Sequence, residues 1–167
     1  MSRVITGLSV VSIVFCGAIF GFFYAWVCST MWGLDRADPR VAIPAMQAMN
    51  ASVRNAVFFP AFFLTPVVLG LTATLMNFNG YKMSTFWFAA AAAVYSACGL
   101  FLTLTVNVPM NEALAATVVP NDIEAAGEIW QNYSERWQFW NQVRAVASGI
   151  TLAFAGFGLT RLSVKEP

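Results

Sequence analysis

The side chains best able to do chemistry in this chain stand at the edges of long apolar runs, and Arg144 is the sharpest case. The stretch from Arg144 to Arg161 holds no other Asp, Glu, Lys or Arg, and a helix crossing a ~30 Å hydrocarbon layer needs about 20 residues. Reaching that length requires a start near Asn141, which sets Arg144 about one turn inside the apolar layer. A guanidinium buried there is costly and by default functional; snorkelling of its tip to the interface is the alternative. At about 100° per residue, Trp130, Tyr133, Trp137, Trp140, Asn141 and Arg144 share an arc of roughly 100°. Three indoles, a phenol, an amide and a guanidinium therefore lie on one helix face. An aromatic stripe alone would be packing or an interfacial belt. The amide and the cation make it a candidate pocket wall.

Two further polar groups belong at the same membrane level. Asn107 and Asn111 flank Pro109, which has no N–H to donate and leaves a carbonyl near Thr105 without its helical partner. The two amides either satisfy that broken backbone or face a ligand. Gln47, Asn50 and Arg54 form the polar stripe of a segment whose apolar stripe is Met46, Met49 and Val53. Prolines, aromatics and two arginines at one mouth suit a flat, anionic or enolisable ligand.

The elements that must position these residues follow from composition. The chain is 59% apolar and only 10% charged, against about 25% charged in an ordinary soluble domain. A net charge of +1 gives no electrostatic case for nucleic acid. Long charge-free gaps run from Arg3 to Asp35, from Arg54 to Lys82 and from Lys82 to Glu112. With the shorter fourth gap they predict an all-α integral membrane four-helix bundle, a single transmembrane domain over 1–167. The expected helices cover about 4–31, 55–76, 83–106 and 141–160. A short amphipathic helix precedes the second, starting at Pro39 after an Asp38 cap or at Pro44. A helical extension capped by Asn121-Asp122 precedes the fourth. Pro60 and Pro66 fall inside the second helix and should kink it, and Asn79-Gly80 marks the turn that follows. Gly17-x-x-x-Gly21 reads as ordinary close helix packing. The first apolar run is too long for a secretory signal and lacks a cleavage motif, so it is expected to be retained.

In an up-down bundle, the start of helix two, the end of helix three and the start of helix four share one end. Gln47, Asn50, Arg54, Asn107, Asn111, Tyr133, Trp137, Asn141 and Arg144 can then converge there. Both termini lie on the other side with Arg3, Lys82, Arg161 and Lys165, which places them in the cytoplasm and the protein in the cytoplasmic membrane. The opposing loops also carry arginines (Arg36, Arg40, Arg54, Arg136, Arg144), which pull against that orientation. The tail 161–167 is polar and expected to be mobile. Cys16, Cys28 and Cys98 form no C-x-x-C pair, which disfavours a thiol oxidoreductase. The chain has no histidine, which removes His-ligated haem, His-bound zinc and His-based triads.

Three segments carry a resemblance: Pro44-Ala-Met-Gln-Ala-Met-Asn50, Asn107-Val-Pro-Met-Asn-Glu-Ala-Leu114 and Trp137-Gln-Phe-Trp-Asn-Gln-Val-Arg144. With their N-x-P-x-N and W-x-x-W-N-x-x-R elements, the chain resembles the anthrone-oxygenase-like family of small membrane proteins along nearly its whole length. The resemblance implies four membrane helices and allows an oxygenase that needs no metal or organic cofactor. Its substrate would be an enolisable aromatic small molecule, with dioxygen as co-substrate and the lipid bilayer as surroundings. Arg144 and Arg54 would stabilise the substrate anion, and the amides of Asn107, Asn111 and Asn141 would orient its oxyanion. Gln47, Asn50, Tyr133, Trp137 and Trp140 would complete the binding site, and Glu112 or Tyr133 would serve as base. The competing expectation is a non-enzymatic membrane protein that binds a lipid or small molecule, or an accessory subunit of a larger complex. The oligomeric state is not legible in the residues.

Overall fold

A computed structural model describes residues 3–162, and no strand occurs among them. Four helices are long and apolar enough to cross a membrane: α1 (Arg3–Leu34), α3 (Phe58–Phe78), α4 (Lys82–Ala115) and α5 (Ile123–Thr160). The short α2 (Pro39–Ser52) lies between α1 and α3. The long helices pack as a ring, α1 on α3, α3 on α4, α4 on α5 and α5 on α1. Met1, Ser2 and the tail from Ser163 to Pro167, with Lys165, lie outside the described residues.

The helix limits expose the local physics. The expected second helix begins at Phe58 rather than near Asn55, because the Asn55 carboxamide oxygen caps it. That oxygen accepts from the N–H groups of Val57 at 2.8 Å and Phe58 at 2.9 Å. Pro60 thereby falls in the first turn, where no intrahelical donor is required. Pro66 is internal and strips a donor from the carbonyl of Phe62, four residues back. The Tyr95 hydroxyl of α4 replaces that donor at 2.9 Å. Between α3 and α4, Gly80 takes φ +80°, the left-handed conformation that glycine adopts without steric cost. This lets the Tyr81 N–H reach the carbonyl of Met76 at 3.0 Å.

The third span does not stop at 106. It continues through Pro109 to Ala115, with π-helical stretches at Tyr95–Phe101 and Thr103–Asn107. The wider turns move the carbonyl that the proline ring would otherwise meet, so the helix bends its winding instead of breaking. α1 carries a π-helical turn of its own at Trp26–Thr30 and extends to Leu34. The extension before the fourth span and the span itself are one helix, capped where the Asp122 carboxylate accepts from the Ala125 N–H at 2.8 Å. α2 starts at Pro39, not Pro44, because Asp38 accepts from the Arg40 N–H at 2.9 Å. Hydrogen bonds from the Arg40 side chain and backbone lower that carboxyl to about 2.

At the end of the ring where α1 begins, Ile5, Leu69, Met76, Phe88 and Ala155 form a close-packed core. Gly158 makes the contact between α4 and α5 possible there. A Cβ on it would lie 2.5 Å from the Phe88 ring and 3.2 Å from the Cβ of Trp87.

Candidate functional site

At the opposite end, the helices part around a cavity of about 220 Å³. Arg144, two turns inside α5 from its Trp137, stands in its wall and is only 5% exposed. Its side chain is therefore buried and does not snorkel to the surface. One guanidinium nitrogen, Nη2, donates to Asn141 Oδ1 at 3.0 Å, and Nη1 donates to the Thr103 hydroxyl of α4 at 3.2 Å. The amide of Asn141 in turn donates to the carbonyl of Phe23 in α1 at 3.1 Å. A chain of hydrogen bonds thus links α1, α5 and α4 through the arginine. The guanidinium carbon lies 4.5 Å from the centre of the Phe23 ring and 5.4 Å from that of Trp137.

None of these partners carries a negative charge. The ion pairs among the described residues are Arg40–Asp38 and Arg54–Glu112. Arg144 Nε has no hydrogen-bond partner among the described residues. In a medium of low dielectric constant an unpaired charge is expensive, and neutral dipoles repay only part of that cost. The cavity therefore holds a fixed positive charge that an anion, or a group becoming one, would complete.

The wall opposite is formed where α2 ends and α3 begins. Asn50 and Arg54 reach the cavity from that side, and Asn111 and Glu112 from α4. The Asn111 carboxamide oxygen accepts from the Tyr133 hydroxyl at 2.9 Å and from Trp137 Nε1 at 3.0 Å. Tyr133 also accepts from the Asn50 amide at 3.2 Å. Both bonds to Asn111 fall on its oxygen, which leaves its NH₂ for a ligand. Arg54 and Glu112 meet at 3.4 Å with their side chains 51% and 60% exposed, so this pair marks the water-facing mouth. Among the described residues, Glu112 is the only carboxylate in the cavity wall.

Seven of the residues expected from sequence line the cavity: Asn50, Arg54, Asn111, Glu112, Trp137, Asn141 and Arg144. Four do not. Gln47 donates to the carbonyls of Leu114 at 2.8 Å and Thr117 at 3.0 Å and so ties α2 to the end of α4. Tyr133 is buried behind Asn111 and Asn50. Trp140, at the margin of the helical arc, is half-buried against Phe139 with ring centres 5.1 Å apart. Asn107 is fully buried, and neither its amide nitrogen nor its oxygen has a partner. Since Asn111 also bonds only to side chains, neither amide serves as a patch for the backbone around Pro109.

Sequence reasoning missed most of the apolar wall. Phe22, Phe23 and Trp26 come from α1, and Phe58, Phe59, Phe62 and Phe63 from α3. It also missed Asp35, whose carboxylate accepts from Trp130 Nε1 at 3.0 Å, the Ser134 hydroxyl at 2.7 Å and the Gln138 amide at 2.9 Å. Those bonds lock the end of α1 to α5 just above the site. Among the described residues, no three His, Cys, Asp or Glu side chains cluster so as to hold a metal ion.

Compared with known proteins, residues 48–154 match a family model described as anthrone oxygenase. The matched stretch contains Asn50, Arg54, Asn111, Glu112, Asn141 and Arg144, and leaves the α1 wall outside. No curated protein and no solved structure gave a match.

Proposed function

The chain belongs to the anthrone oxygenase family, and from that premise we propose that it is a membrane oxygenase that converts an enolisable aromatic CH₂ group, as in an anthrone, to a ketone. The observation that carries this reading is Arg144: a buried cation without a counter-ion, facing an aromatic cavity. A neutral ketone fits such a space, and its enolate is drawn to the guanidinium. The charge that develops during proton removal is thus stabilised by a dipole and charge arrangement already in place.

In the proposed reaction the Glu112 carboxylate takes one proton from the CH₂ carbon, and the electron pair passes to the carbonyl oxygen beside Arg144. Asn141 and Thr103 position the guanidinium, while the free NH₂ of Asn111 holds the ligand, with Asn50 and Trp137 fixing the ring. The carbanion reduces dioxygen and forms a carbon–oxygen bond, giving a hydroperoxide once protonated. Loss of the second CH₂ proton breaks the O–O bond. One oxygen atom stays as the ketone and the other leaves as water. The four electrons lost by carbon equal those gained by dioxygen, so no other oxidant is needed. We further propose that the protein resides in the cytoplasmic membrane with both termini in the cytoplasm, next to Arg3, Lys82 and Arg161.

The test is oxygen uptake by the purified protein with emodin anthrone, with and without chelator. The expected result is chelator-resistant uptake above the spontaneous rate, reduced on the order of 10²–10⁴-fold in Glu112→Gln. Uptake at the spontaneous rate alone, with emodin still bound, would sink the oxygenase reading in favour of a binding role.

A further inference from the structure

A second cavity, about 410 Å³ in volume, lies between α1, the end of α2 and the start of α3. Among the described residues its wall contains no charged side chain, and its polar ones, Ser52 and Asn55, bond to backbone groups nearby. Five residues line both cavities: Phe22, Trp26, Met49, Val53 and Phe58. The rings of Phe22 and Phe58 touch between the two spaces, with centres 4.7 Å apart. Among the residues that line this cavity alone are Ala18 of α1, exposed, and Ala61 of α3, half-buried, whose small side chains leave a gap between the two helices. The two cavities therefore differ in what they can hold. The inner one has a buried cation and a carboxylate at a water-facing mouth, and the outer one is lined without charge by α1, the end of α2 and the start of α3.

We infer that the outer cavity is a binding vestibule through which the neutral form of a flat aromatic substrate enters sideways from the bilayer, with Phe22 and Phe58 as the gate. An uncharged wall admits the keto form and rejects the anion, because a charge passing it would be stripped of water with nothing to replace the lost hydration. Once inside, the molecule meets Arg144 and can ionise, and the same wall then retains it. Aromatic side chains suit the gate because two rings can slide apart while each keeps apolar contacts. The inference takes its ligand class from the proposed oxygenase function, but the route of entry stands or falls on binding kinetics alone.

The test uses emodin, an anthraquinone with no CH₂ left to oxidise, so turnover plays no part. Quenching of tryptophan fluorescence in proteoliposomes, followed by stopped flow, gives association and dissociation rates. Ala18→Phe and Ala61→Phe, made separately, each fill the vestibule from a different helix, so one misfolded variant leaves the other to decide. A plug on the path raises the barrier from both directions. Both rates should then fall together, by about tenfold or more, with Kd unchanged. Unchanged rates in a folded variant would overturn the inference, as would a weakened Kd at an unchanged association rate, which marks a residue of the site rather than the path. Absence of quenching in the unaltered protein would overturn it as well. Slowed binding without any anthrone oxidation would instead leave the vestibule standing and remove the oxygenase.

Discussion

Where α1 begins and α5 ends, helices of regular geometry meet through Ile5, Met76, Phe88 and Gly158, and the small polar side chains there mostly bond one turn back along their own helix. Ser9 donates to the carbonyl of Ile5 at 2.8 Å and Thr85 to that of Tyr81 at 3.0 Å, while Ser12 and Thr72 also meet across α1 and α3 at 3.2 Å. Where α1 ends, α1 and α4 both wind more widely, and the polar side chains reach across to other helices. Asn141 bonds to the carbonyl of Phe23, Tyr95 to that of Phe62 and Gln47 to those of Leu114 and Thr117. The first end is held by filled space. The second encloses an unfilled one, so its helices need directional bonds to keep their distance. Each end should accordingly fail in its own way.

The largest effect is expected at the open end. Arg144→Met removes the cation but keeps the volume and the apolar contacts to Phe23 and Trp137. Anthrone turnover should fall on the order of 10²–10³-fold, the cost of losing a donor to a developing oxyanion. Replacing a buried charge that has no counter-ion by an apolar group of similar size also removes its desolvation cost. The melting temperature in detergent should therefore stay or rise, and a marked fall would show that Arg144 chiefly holds the helices together.

At the packed end, Gly158→Leu should do the reverse. Forcing a side chain against Phe88 and Trp87 overpacks the contact and should destabilise the protein by about 3 kcal/mol, read from denaturant unfolding in micelles. Emodin affinity of the folded fraction should be unaffected, and a changed affinity would mean that the two ends are coupled.

Tyr95→Phe sharpens the comparison by removing one cross-helix bond of the open end, with the smallest expected effect. It leaves the Phe62 carbonyl, already deprived of a donor by Pro66, without any partner. The expected loss is about 1–2 kcal/mol, accompanied by faster amide hydrogen exchange in α3 around Pro66. Unaltered exchange there would mean that the hydroxyl is not the carbonyl's main support.

Much of this was legible beforehand, and the residues show why. The spans could be read from charge-free gaps because a charge in hydrocarbon is penalised wherever it stands. The Asp38 and Asp122 caps could be read because capping is local. Arg144 was exposed by simple arithmetic, the shortage of uncharged length in α5. The phenylalanines of α1 and α3 that wall the cavity were not legible. In a membrane helix the lipid face and the core face are both apolar, so Phe62, buried in the wall, and Leu64, exposed and outside it, look alike in the sequence. The retreat of Tyr133 behind Asn111, and of Trp140 to the side, depends on which neighbour each meets. Arc membership alone cannot say that. The continuation of α4 past Pro109 was hidden for a further reason: proline normally ends a helix, and no residue pattern announces a wide turn that absorbs it.

Those wide turns also act as gearing. From Thr103 to Asn111, regular winding at 3.6 residues per turn would carry the chain about 80° beyond two full turns. The residue that receives Arg144 and the residue that receives Trp137 would then point in different directions. The π-helical stretch at Thr103–Asn107 winds less per residue and brings both toward the same edge of α5. Deleting one residue there would preserve every polar group of the site by type, yet turn Asn111 and Glu112 away from the cavity. The spacing of this segment is thus as much a part of the site's chemistry as the side chains it carries.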